Sequence, residues 1–134
     1  MASFLDDAAS AIAEAAGWRQ PTADKEGIYS FFLQGGQEMR LFSPDGGNTL
    51  VFCSTVQTLP DDARAREELL QAQAQRAVAA AKERKSILAL EEEVLILHRM
   101  VTAKVTGLAE LPGIAEEFLN DLDWWKAQAA RLSA

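Results

Sequence analysis

Near its C-terminal end the chain alternates in a way that leaves no polar face. In the run from Val94 to Val101, one set of alternate positions is Val94, Ile96, His98 and Met100, and the other is Leu95, Leu97, Arg99 and Val101. A strand of an antiparallel sheet with one solvated face alternates apolar with polar, so this strand needs a cover on each side. The same blur recurs upstream. Ile28, Ser30 and Phe32 oppose Tyr29, Phe31 and Leu33, while Leu50 and Phe52 oppose Val51 and Cys53. In a chain of 134 residues, the expectation is that another protein supplies part of that cover.

The rest of the pattern divides into helices and turns. Phe4, Leu5, Ala8, Ala9, Ile12, Ala15 and Ala16 recur at helical spacing behind Ser3, with Asp6 and Asp7 in the first turn and Gly17 as the stop. A polar loop with Pro21 follows. Three strands come next, in GIYSFFLQ, EMRLFS and TLVFCSTVQ, joined by the turns GGQ and PDGGN, which makes an antiparallel meander. LPDDARAREELLQAQAQRAVAAAKER predicts a second helix, with Pro60 near its first position, acids in the first turn and basic residues at its end. Apart from Leu69 and Leu70, its apolar residues are mostly small, so it organises a monomer core poorly and suits a flat contact with a second copy. SILALEEEVLILHRM predicts the last two strands, with Glu91, Glu92 and Glu93 at their turn. The final helix starts near Leu108 or after Pro112 and carries Leu111, Ile114, Ala115, Phe118, Leu122 and Trp125 as its core stripe, leaving Leu119 and Trp124 partly exposed. The expected fold is α+β in the order α-β-β-β-α-β-β-α, with helices packed on a twisted, largely antiparallel sheet and residues 1–134 forming one domain.

Composition narrows the function more than the fold. Half the residues are hydrophobic (49%) and a quarter charged (25%), which is the globular class. The net charge of −7 argues against nucleic acid and anionic membranes as partners, since both require a basic patch. No apolar run is long enough to span a membrane, and the N-terminus lacks the basic and apolar regions of a signal peptide, so a cytoplasmic location is expected. The single cysteine, Cys53, fits a reducing compartment and reads as a small buried hydrophobe.

Candidate chemistry is sparse. His98 is the only histidine, and a lone histidine in a strand is more often structural than a base. One Cys and one His do not reach the ligand count of a zinc site, so no metal is expected, nor any cofactor. Asp61, Asp62 and the three glutamates read as helix capping and turn solvation, and the glycine pairs as hairpin turns rather than a phosphate cradle. No catalytic residue stands out, and the function is expected to lie in a surface.

The order of elements, the size, the acidity and the C-terminal pattern resemble the class I type III secretion chaperones, the Tir-chaperone-like family of bacterial cytosolic proteins. SILALEEEVLILHRM followed by LAELPGIAEEFLNDLDWWKAQ is similar to the family's last two strands and closing helix, with Phe118, Leu119 and Trp125. NTLVFCSTVQTLPDDARAREELLQAQ resembles its third strand and second helix, with the Leu69–Leu70 pair. The charged, glycine-free AAAKERKS departs from the glycine-bearing loop common there. The resemblance implies a homodimer around which a non-globular segment of a secreted effector wraps; binding needs no nucleotide and keeps the effector soluble and competent for secretion.

On that basis the partner-binding set is expected to be Phe31, Leu33, Phe42, Val51 and Cys53 on one sheet face, with Ile12 at the helix edge. The dimer interface is expected at Ala74, Ala77, Val78 and Ala81, together with the hairpin of the last two strands. Two rival readings stand beside this one. The first is a small dimeric α+β enzyme of the hot-dog thioesterase type, which would have to use Asp61 or Asp62 with His98. The second is a regulator that binds a folded partner.

Overall fold

A computed structural model describes residues 3–103 and 106–133. The chain runs α1 (Phe4–Ala16), β1 (Tyr29–Phe32), β2 (Glu38–Phe42), β3 (Thr49–Thr58), α2 (Ala63–Ala80), β4 (Ile87–Glu91), β5 (Val94–Thr102) and α3 (Leu111–Ser133). Single 3-10 turns at Gln34–Gly36 and Leu108–Glu110 interrupt the connections. The order is the α-β-β-β-α-β-β-α of the sequence pattern.

Local chemistry sets the ends of α1. Ser3 Oγ accepts from Asp6 N–H at 3.1 Å and the Asp6 carboxylate accepts from Ser3 N–H at 3.2 Å, a capping box that satisfies two otherwise free donors. Gly17 stops the helix in the left-handed conformation at φ +74°, which a side chain would disfavour.

The second helix begins later and ends earlier than its composition suggests. Asp62 is the cap, accepting from Ala65 N–H at 2.9 Å, so Pro60 and Asp61 precede the helix. Ala81, Lys82 and Glu83 form the turn after Ala80, closed by Arg84 N–H donating to Ala80 C=O, rather than a basic last turn. The reason is lateral. Arg84 donates to Asp121 of α3 at 2.9 Å and lies 4.7 Å from the ring centroid of Trp124, which draws the chain off the helix axis and into β4.

The five strands form one antiparallel sheet in the order β1-β2-β3-β5-β4, which leaves β1 and β4 as its edges. Register separates the two faces. Tyr29 pairs with Leu41, Leu41 with Phe52 and Phe52 with Arg99, so Phe31, Met39, Leu50, Leu95 and Leu97 share the inner face with them. This face is buried against α1 and α3, whose Ile12, Leu111, Phe118, Leu122 and Trp125 complete one core cluster. Phe118 meets Phe52 at 5.9 Å between ring centroids. Arg99 is buried on the same face and satisfied by Glu117 of α3 at 2.7 Å. α2 runs beside α3, linked by Arg76 to Gln128 at 3.1 Å, and its only buried residues are Gln73 and Ala80.

Candidate functional site

Two surfaces of the described residues combine apolar side chains with open backbone or open space. The first is the β1 edge. The segment from Trp18 to Gly27 comes off α1 and folds back along this edge, with Ala23 bridging to Tyr29 and Asp24 N–H donating to Ile28 C=O at 3.0 Å. Beyond the bridge the loop parts from the strand. It leaves a slot of about 550 Å³ lined by Trp18, Pro21 and Thr22 on one side and Ser30, Phe31 and Phe32 on the other. Trp18 packs against Phe31 at 5.5 Å between ring centroids, and Phe32 projects from the outer face with 77% of its surface exposed. A narrower groove of about 370 Å³ lies between α1 and α3, lined by Ile12, Ala16, Trp18 and Leu119.

The second surface is the outer face of the sheet. Ser30, Arg40, Cys53, His98 and Ile87 form one row across all five strands, and Phe42, Val51 and Met100 form the next. Among the described residues, no helix crosses this face in the way that α1 and α3 cover the inner one. Met100 is 61% exposed and Ile87 58%. Large apolar side chains rimmed by Arg40, Glu38 and Glu91 have the composition of a contact surface.

The expected partner-binding residues do not share one face. Phe31 is only 4% exposed and lies on the inner face, whereas Phe42, Val51 and Cys53 lie on the outer one. Phe31 pairs with Met39 of β2 whereas Val51 pairs with Phe42, three residues further along β2, and because side chains alternate with a period of two, the expected set joins residues of opposite faces. Ile12 is a core residue at 2% exposure rather than a helix-edge one, and Leu33 is half-buried against the same core. Ala74, Val78 and Ala81 lie exposed along one stripe of α2, while Ala77 packs partly against the core. Trp18 and Phe32 were not among the expected site residues, and Ile87 and Met100 were expected at an interface only as part of the last hairpin. A tryptophan in a polar loop directly after a helix stop is the signal that Trp18 offered.

The rival chemistry finds no assembled site. The Asp62 carboxylate is engaged in capping α2, whose start follows the Thr58 end of β3. Thr58 pairs with Val94, four residues or about 13 Å along β5 from His98. Cys53 accepts a hydrogen bond from Arg40 Nη2 at 3.3 Å, yet burial pushes its thiol above the usual range, with the Glu91 charge adding to the rise and Arg40 opposing it. Such a thiol is a packed group and not a nucleophile poised at neutral pH. Among the described residues, no three His, Cys, Asp or Glu side chains come together as metal ligands.

Comparison with known proteins agrees with this geometry. The model of the Tir chaperone protein (CesT) family matches residues 9–126. No curated protein matches the chain significantly in sequence. Among solved structures, a chain of the ExsC–ExsE complex superposes with a TM-score of 0.71 at 13% identity, covering 94% of this chain and 96% of that one. The type III secretion chaperone SycH of Yersinia pestis, solved with a stable fragment of YscM2, is represented by a match with a TM-score of 0.62 at 11% identity, covering 90% and 98%. The ExoT–SpcS complex from Pseudomonas aeruginosa gives 0.59 at 14%, covering 92% and 97%. At these identities the superpositions establish the fold.

Proposed function

The chain belongs to the Tir chaperone protein (CesT) family, and on that premise we propose that it is a cytoplasmic type III secretion chaperone. It binds the non-globular N-terminal region of a secreted effector and keeps that region soluble and competent for secretion. The observation that carries this reading is the β1 edge, where a strand end, an apolar slot and an exposed aromatic side chain lie side by side. An extended client segment adds there through backbone hydrogen bonds and seats apolar side chains against Trp18, Phe31 and Phe32, a mode that reads shape more than exact sequence. Ile12 lines the neighbouring groove between α1 and α3, Leu33 packs against the core just past the end of β1, and Phe42, Val51 and Cys53 extend the apolar surface around the sheet. Residues 1–134 act as one chaperone domain, supported by the single core cluster. The ExsC–ExsE, SycH–YscM2 and ExoT–SpcS structures are all protein complexes, which supports a protein client for this chain too. The reading assigns the protein no catalytic activity and no cofactor.

The chaperone is a homodimer in this reading, joined through α2 and the β4–β5 hairpin. Val78, Ile87, Leu90 and Met100 are all exposed in the single chain, and a self-complementary contact that buries them is the commonest closed arrangement.

Replacing Phe32 with Glu tests the client seat, using an N-terminal fragment of the secreted protein recovered with this chain from its native cell. Because Phe32 is exposed, the variant keeps its circular dichroism spectrum, and its affinity falls about 30-fold or more. Undiminished affinity in the folded variant would place the client elsewhere.

A further inference from the structure

The β1 edge is not simply open, and its partial closure is built from this chain's own residues. Leu33 N–H donates to Gln37 C=O at 2.7 Å, toward β2, whereas Ile28 C=O accepts from Asp24 N–H at 3.0 Å, on the opposite side. Backbone groups alternate along a strand, so Ile28, Ser30 and Phe32 turn theirs to the free edge. An added client strand would bond to those same groups. In the structure the segment Thr22–Asp24 already lies there, antiparallel to β1, with Ala23 opposite Tyr29.

Upstream, Gln20 Nε2 donates to Ser10 Oγ of α1 and Trp18 packs on Phe31, whereas from Thr22 onward the holding side chain is Asp24. Asp24 Oδ1 accepts from Glu26 N–H at 2.8 Å and from Ile28 N–H at 3.0 Å, and the Asp24 carbonyl accepts from Gly27 N–H at 3.0 Å. Gly27 closes the turn at φ +84°, where a side chain is strained. Upstream, Pro21 locks its own φ near −65°, away from strand geometry, and the loop departs from β1 to form the wall of the slot. The grip is therefore local, exposed and short, which places it at the low-stability end of the fold.

We propose that the segment from Thr22 to Gly27 is a displaceable strap that occupies the client strand's place on β1 in the unliganded chaperone, with Asp24 as its latch, while Trp18 stays packed on Phe31 as part of the client's seat. The inference rests on the reading of the β1 edge as the client's seat. It adds a consequence: the strap blunts an edge that would otherwise pair with any extended chain, and a client must outcompete it. Clients that supply apolar anchors to the slot as well as a strand are thereby favoured over those that supply backbone alone.

The test uses Asp24→Ala and, by an independent route, Gly27→Ala in the full chain. In the free protein, amide exchange at Ile28 should accelerate about tenfold in both variants, while Leu41 and Phe52 in the sheet interior stay as protected as in the wild type. Affinity for the N-terminal fragment of the secreted protein recovered with this chain from its native cell should rise about threefold to tenfold, because no strap has to be displaced. Unchanged exchange at Ile28 would overturn the latch whatever the chain's function. Accelerated exchange with unchanged or weakened binding would show that the loop does not compete with the client, and would overturn the strap. If the wild type fails to bind the fragment at all, the chaperone reading fails, and the exchange measurement still decides whether Asp24 holds the loop.

Discussion

Single residues tie the first helix to the edge strand through one polar contact at the rim of the core. Tyr29 Oη–H donates to the Asp6 carboxylate, which also accepts from Ser3 N–H, so the cap of α1 and the start of β1 share an anchor. The hydrogen bond to Asp6, reinforced by burial and by the carboxylate's charge, pushes the Tyr29 phenol up to about 12. The same bond, with those from Ser3, holds the Asp6 carboxyl below the usual carboxylate range. The two shifts act at opposite ends of the pH scale. Tyr29 is raised in the folded state, so its contribution is complete below an unfolded value near 10 and is lost as pH rises toward about 12. Asp6 is lowered, so its contribution is present above about 4 and is lost as pH falls through the folded value. Tyr29→Phe should therefore remove the stability loss between pH 10 and 12, as read from urea midpoints across that range. A loss of the same size in the Phe variant would assign it to another group. None of this coupling was legible in the sequence, because Asp6 already had a complete explanation as a first-turn acid of α1.

The elements themselves were far more legible than the faces they present. Ser3, Gly17 and the stripe from Leu111 to Trp125 marked α1 and α3 because caps and helical periodicity are local signals. The β4–β5 hairpin was legible for the same reason, down to its turn, where Glu92 takes φ +55° without being glycine. Which face of β1 turns inward was not legible, since Phe31 and Phe32 are adjacent and equally apolar and only pairing with Met39 and Glu38 distinguishes them. The end of α2 was set by Arg84 meeting Asp121 and Trp124, contacts that lie 37 and 40 residues away in sequence and leave no local trace. What α2 lacks is as informative as what it holds. With Gln73 and Ala80 its only buried residues and Val78 at 78% exposure, it has an apolar stripe that the single chain does not use. Val78→Asp should leave stability within about 0.5 kcal/mol of the wild type and convert a dimer to a monomer, as read by light scattering. A wild type that is already monomeric at micromolar concentration would contradict the dimer, and so would a variant that stays dimeric.

At the scale of the whole molecule, one sheet divides the labour between its two faces and its two edges. The inner face and the helices α1 and α3 supply the core, which is why the blurred alternation of β3 and β5 is half explained within the chain. The remaining apolar surface lies on the outer face, along α2 and beside β1, where a second copy and an extended client would cover it. Family membership was approached in the sequence through the order of elements rather than through any motif, and at 11–14% identity to SycH and the chains of the ExsC–ExsE and ExoT–SpcS complexes it is the fold that persists. Everything proposed for this chain turns on whether a secreted protein's unfolded segment lies against the β1 edge. Isolating the complex from the native cell, identifying the bound protein by mass spectrometry, and comparing amide exchange of this chain in its free and bound states decides it. A secreted protein should be found bound through an extended N-terminal segment, with exchange slowed at Ser30 and Phe32. A folded partner, or a bound segment that leaves Ser30 and Phe32 exchanging as in the free protein, would contradict that seat.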